Sequence, residues 1–100
     1  MPSLPQVMTL SFTKLDNYGN MTFTGSVLSD GGSKVTDSGA VYSSTNNMPT
    51  LSDSVAHNGS GTGTIIAYIM QLKVGVTYYA RAYATNSVGT SYGSAYSAMP

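Results

Sequence analysis

Histidine occurs once, at position 57, and the only carboxylate side chains are Asp16, Asp30, Asp37 and Asp53. A Ser-His-Asp relay needs an imidazole held between a hydroxyl and a carboxylate. Serine is abundant enough to lie near His57 by chance, but no nucleophile motif flanks it. The neighbouring run Asn58-Gly59-Ser60-Gly61-Thr62-Gly63 places His57 in a Gly-rich loop, as a solvated side chain. Glycoside hydrolysis needs two carboxylates at a fixed separation. Asp16, Asp30 and Asp53 fall in or near turns and Asp37 stands beside Ser38-Gly39, where Asp bonds to local backbone. Asp16-Asn17-Tyr18-Gly19-Asn20 and Asp30-Gly31-Gly32 are the candidate calcium loops. Both lack the alternating acidic spacing and closing Glu of such a loop. Gly59, Gly61 and Gly63 resemble a phosphate cradle only in part, since no Lys-Ser/Thr follows and the next element reads as a strand. With one His and no Cys, neither a multi-His nor a Cys-ligated metal site is expected. The chain is expected to be non-catalytic and to use no cofactor. Asn20-Met21-Thr22 and Asn58-Gly59-Ser60 match the glycosylation pattern, as chance allows in so Ser/Thr-rich a chain.

The whole chain has 100 residues and 10.4 kDa, the size of one domain. Lys14, Lys34, Lys73 and Arg81 balance the four Asp to a net charge of zero, and Glu is absent. No basic stripe is available to track phosphates, so nucleic-acid binding is not expected. The same neutrality argues against an electrostatic hold on anionic membrane. No apolar run approaches the ~18 residues of a spanning helix, and no membrane insertion is expected. Hydrophobic residues at 41%, with eight Tyr and two Phe, are too many for a disordered chain. The opening Met1-Pro2-Ser3-Leu4-Pro5 has neither a basic nor an apolar signal-peptide region. Met1 is read as an addition to an excised module or as the start of a protein that does not use that route.

Period-two alternation recurs along the chain, and no sustained helical repeat does. The first strand is expected at Gln6 to Thr13, with Met8, Leu10 and Phe12 on one face. A turn at residues 16–20 leads to a strand from Met21 to Ser29, with Met21, Phe23, Gly25 and Val27 inward. A third strand covers Ala40 to Ser43. Residues 45–54 read as a long connection or short edge strand, and 58–63 as a loop. Further strands are expected at Thr64 to Met70, Thr77 to Thr85 and Ser91 to Ala98. Short strands with turn signals every ~8–12 residues predict an all-β antiparallel sandwich of about seven strands, ordered over residues 6–98.

The segment from Leu72 to Gly89 resembles a fibronectin type III domain. Leu72, Gly75, Tyr78, Ala84, Asn86 and Gly89 fall at that family's spacings. Phe23-Thr24-Gly25-Ser26-Val27, Ser29-Asp30-Gly31-Gly32, Gly39-Ala40-Val41-Tyr42-Ser43 and Gly59-Ser60-Gly61-Thr62-Gly63 resemble the type III-like repeats of bacterial surface proteins, those of Bacteroidetes above all. The resemblance implies an immunoglobulin-like sandwich in which Leu72, Gly75, Tyr78, Asn86 and Gly89 are structural. Tyr78 would send its hydroxyl to backbone a few residues upstream and pin the corner. Val74 stands where the family usually has Pro, Trp is absent, and no Arg-Gly-Asp triplet occurs. Animal-type integrin adhesion therefore does not carry over.

With Tyr78, Ala80, Ala82 and Ala84 inward, Tyr79, Arg81, Tyr83 and Thr85 face out. Tyr79, Arg81 and Tyr83 then form a platform suited to a sugar ring or a protein partner, the alternative being plain strand pairing. With Ile65, Ala67, Ile69 and Leu72 inward, Ile66, Tyr68 and Met70 project from the other sheet. That apolar stripe is a candidate contact with a neighbouring domain or subunit, unless loops cover it or the register is reversed. Three functions are carried forward. The first is a spacer and adhesion or ligand-contact module of a larger surface or secreted protein, monomeric and located outside the cell. The second is a virion or filament subunit that self-associates through the apolar stripe. The third is an engineered binding scaffold.

Overall fold

The computed structural model describes residues 2–100; Met1 and its reading lie outside them. Among the described residues there are eight strands and no helix. They are β1 (Gln6–Lys14), β2 (Met21–Ser29), β3 (Asp37–Ser43), β4 (Ser54–Gly59), β5 (Gly63–Ile69), β6 (Tyr78–Thr85), β7 (Thr90–Tyr92) and β8 (Tyr96–Ala98). One antiparallel sheet has the order β1-β2-β5; the other runs β4-β3-β6, with β7 and β8 both on the far edge of β6. The two sheets enclose a single apolar core, which fits a β-sandwich measuring 45 × 22 × 16 Å.

Alternation builds that core. On β2, Met21, Phe23 and Val27 are buried, and Ile65, Ala67 and Ile69 of β5 pack beside them. Phe12 of β1 pairs with Phe23, their ring centroids 6.3 Å apart. The other sheet answers with small residues, Ala40, Ala80, Ala82 and Ala84. Its layer therefore comes close: a Cβ added to Gly25 would sit 3.1 Å from Cβ of Ala82. A larger residue at position 25 would force the layers apart.

Three expectations need correction. Met8 and Leu10 do not share a face with Phe12; both are exposed. The register of β1 on β2 shifts between Thr9 and Ser11, so the inward set changes phase and becomes Val7, Thr9 and Phe12. His57 and Asn58 are not in a loop but on β4, an edge strand whose few apolar residues hide its alternation. Asp37 is not a turn residue but opens β3. The strand expected over Ser91 to Ala98 is interrupted at Gly93–Ala95.

That interruption has a structural filler. Ala82, opposite the break, donates its N–H to Oγ1 of Thr9 at 2.9 Å and accepts from Gly93 N–H at 2.8 Å. The hydroxyl of a β1 residue thus completes the hydrogen bonding of β6 across the sandwich.

The connections are tied down by side chains. Asn86 is buried, and its Nδ2 donates to the carbonyls of Ser3 (2.7 Å) and Asp30 (2.8 Å). Its Oδ1 accepts from the N–H groups of Val88 (2.9 Å) and Gly89 (3.3 Å). One amide therefore holds the entering chain, the β2–β3 turn and the β6–β7 turn together. At the other end Leu72 N–H donates to the carbonyl of Gly19 at 2.8 Å, and Gln71 N–H to Oδ1 of Asn20 at 3.1 Å. Gly19 has φ +86°, and a Cβ there would overlap the Leu72 carbonyl, so only glycine lets this turn dock. Tyr78 Oη accepts the N–H of Lys73, five residues upstream, at 3.0 Å.

Candidate functional site

The outer face of the β4-β3-β6 sheet gathers the residues with most chemistry. Register places Gly39 of β3 between His57 of β4 and Tyr83 of β6. With no side chain at Gly39, the two rings meet edge-on across it, centroids 6.4 Å apart. A Cβ there would also collide with the Ala56 carbonyl. Tyr83 Oη donates to Oδ2 of Asp37 at 2.7 Å. Nδ1 of His57 lies 2.9 Å from the same oxygen and 3.0 Å from the phenol. Burial and the adjacent Asp37 carboxylate push the Tyr83 phenol far above the ordinary tyrosine range.

This trio joins three adjacent strands, and its proton order differs from a hydrolytic relay. There a nucleophilic hydroxyl bonds to the imidazole nitrogen opposite the carboxylate. Here the only hydroxyl, that of Tyr83, points at the carboxylate itself, and it is buried. The arrangement can clamp β3, β4 and β6; it presents no activated nucleophile.

Tyr83 also corrects the platform expectation. It does sit on the outward side of β6, but it is fully buried, as is Val41 beside it on β3. Neither belongs to the apolar core between the sheets. The segment from Ser44 to Asp53 crosses this face: its Pro49 is buried, and Leu51 N–H donates to Tyr92 Oη at 3.1 Å. Asp53 braces the segment by accepting from Thr50 N–H (2.9 Å) and Asn46 Nδ2 (3.0 Å). Tyr79 and Arg81 are half-buried, so Tyr79, Arg81 and Tyr83 offer no continuous exposed platform.

Arg81 pairs instead with an aromatic that the sequence reading missed. Its guanidinium lies over the Tyr92 ring, 4.6 Å from the centroid, while Nε donates to the Gly93 carbonyl at 3.0 Å. Among the described residues no carboxylate lies within ion-pair reach of it. Arg81 and Tyr92 line an open depression of about 520 Å³, rimmed by the exposed Met8, Met48 and Tyr96. Tyr92 follows Gly89 by three residues, a spacing that says strand but not which strand face.

Ile66, Tyr68 and Met70 are exposed by 49, 57 and 49%, while Ile65, Ala67, Ile69 and Leu72 are buried. The outer face they share also carries Thr13, Ser11, Thr22, Thr24, Ser26 and Met8, and no charged side chain. The remaining carboxylates serve turns. Asp16 accepts from Tyr18 N–H and Asn20 Nδ2, both at 2.8 Å, and these bonds lower its pKa. Asp30 accepts from Gly32 N–H at 2.9 Å. Among the described residues no three His, Cys, Asp or Glu side chains gather around a point that could hold a metal. Compared with protein-family models, with curated proteins and with solved structures, the chain matches none of them.

Proposed function

We propose that the chain is a non-catalytic, fibronectin type III-like module of a larger surface or secreted protein, linking its neighbours in a row and making contacts from one face. The observation that carries this reading is where the chain enters and leaves. Ser3 is held at the β2–β3 turn, its N–H donating to Gly31 at 2.7 Å. Pro100 accepts from Gly75 N–H at 3.2 Å, in the β5–β6 connection that also docks the β1–β2 turn. Strand β2, nine residues long, runs from one of these ends to the other. Entry and exit thus lie at opposite ends of the 45 Å axis, as an in-line link requires.

The strand order supports the type III reading. Counting β7 and β8 as one interrupted strand gives three strands facing four. A constant-type immunoglobulin domain keeps its fourth strand with the first sheet; here β4 has moved to β3. The Tyr78–Lys73 bond and the Asn86–Gly89 turn fall where the resemblance expects a pinned corner and a closing turn. The proposed contact site is Arg81 with Tyr92, an unpaired cation on an aromatic face beside exposed apolar rims. A surface location and non-catalytic role follow from this reading and the resemblance. Two copies fused head to tail should form an extended rod in solution scattering; a folded-back pair would contradict the reading.

A further inference from the structure

The sandwich has four sheet edges, and three of them are irregular. Strand β1 shifts register twice, at Gln6/Val7 and at Thr9/Ser11. Strand β4 carries a shift opposite Ser38/Gly39. The edge formed by β7 and β8 is broken at Gly93–Ala95. Such irregularities keep an edge from accepting a foreign strand. Strand β5 has none: it pairs with β2 without a shift from Gly63 to Ile69. It also lacks the other protections, since residues 62–72 contain no charge and no proline.

The direction of its free backbone groups can be read from one bond. Ile66 N–H donates to Oδ1 of Asn58, at 3.2 Å, so it points away from β2. In an antiparallel ladder, alternate residues share this direction. Tyr68 N–H and C=O therefore also face outward, and β5 pairs with no strand on that side. The half-exposed side chains of Ile66, Tyr68 and Met70 stand along the same edge.

We propose that this edge of β5 pairs with the β5 edge of a second copy of the chain, antiparallel about a two-fold axis at Tyr68. A bare backbone edge is complementary to another strand, and a two-fold contact must be self-complementary. This one is: Tyr68 meets Tyr68 of the second copy, and Ile66 meets its Met70, on both sides of the axis. No like charges oppose each other, because the outer face of β1-β2-β5 has none and the net charge is zero. The product is one continuous six-stranded sheet, β1-β2-β5 followed by its two-fold mate. The inference goes beyond the link reading and does not rest on it.

Sedimentation velocity over a wide concentration range tests it. The wild type should pass from 10.4 kDa to a dimer as concentration rises. Tyr68→Pro removes only the outward N–H and leaves the β2 ladder intact, so it should remain monomeric with a native circular dichroism spectrum. Should that variant fail to fold, Tyr68→Lys decides, because it keeps the backbone and puts like charges on the axis. Met8→Lys, on the same outer face but at the β1 edge, should dimerise like the wild type. A wild type that stays monomeric throughout overturns the proposal and leaves the link reading standing. So does a Met8→Lys variant that dissociates as completely as Tyr68→Pro, or growth past the dimer into open polymers.

Discussion

Thr9 and Ala82, 73 residues apart in the chain, are joined by a buried hydrogen bond from the Ala82 amide to the Thr9 hydroxyl. The bond stands where β7 and β8 leave β6 without a strand partner, so a β1 side chain does the work of missing backbone. Gly93 must lie close for this to happen; a Cβ on it would sit 2.7 Å from Thr9 Oγ1.

Thr9→Val keeps the shape and removes the acceptor, leaving the Ala82 N–H buried and unpaired. The expected loss is about 1–3 kcal/mol, measured by urea or thermal unfolding. At about 4–8 °C per kcal/mol for a chain of this size, the melting temperature should fall visibly. Thr9→Ser should recover most of the loss; equal behaviour of Val and Ser would refute the assignment.

Asn86 offers a sharper case, because one amide makes four bonds to three separate segments. Asn86→Ala should cost about 2–4 kcal/mol, several unpaired groups at about 1 kcal/mol or more each. Asn86→Asp should be no better near neutral pH, since a carboxylate would face the carbonyls of Ser3 and Asp30. Its stability should recover as the pH falls and the new carboxyl protonates, gaining a donor.

Tyr83 predicts an alkaline transition. Its raised pKa means that the neutral phenol is favoured in the folded chain. The associated stability is present below the unfolded tyrosine value, about 10, and drains away as the pH rises above it. Spectrophotometric titration should find one tyrosine that ionises only with unfolding. Tyr83→Phe should be less stable at neutral pH yet lose less stability above pH about 10. A variant that loses as much there as the wild type would assign the transition elsewhere.

Tyr78→Phe removes the acceptor of the Lys73 N–H. That bond is exposed, and water can replace it, so the expected cost is at most about 1 kcal/mol. A much larger loss in chemical denaturation would mean that the corner depends on more than this bond.

How far the residues alone reveal this molecule depends on the element. Strands β2, β5 and β6 are legible because each presents an unbroken apolar row, Met21–Phe23–Val27, Ile65–Ala67–Ile69 and Ala80–Ala82–Ala84. Strand β1 is not, because its register shift moves Phe12 out of phase with Met8 and Leu10. Alternation assigns Tyr83 to the outer face but says nothing of what lies over that face. The cover is residues 44–53, which have no period to announce them. His57 escaped for a related reason: an edge strand with few apolar residues, ending in a glycine run, reads as loop. The Arg81–Tyr92 pair was hidden because it depends on β7 lying beside β6, a long-range fact with no local signature.

The most direct test of the link reading is the length of two copies joined head to tail. The fusion should carry Tyr68→Pro in both copies, so that β5 pairing cannot fold it back on itself. Small-angle scattering should then give a maximum dimension near twice the 45 Å of one copy, with a rod-like distance distribution. A maximum dimension close to that of a single copy, from two units packed side by side, would contradict the account.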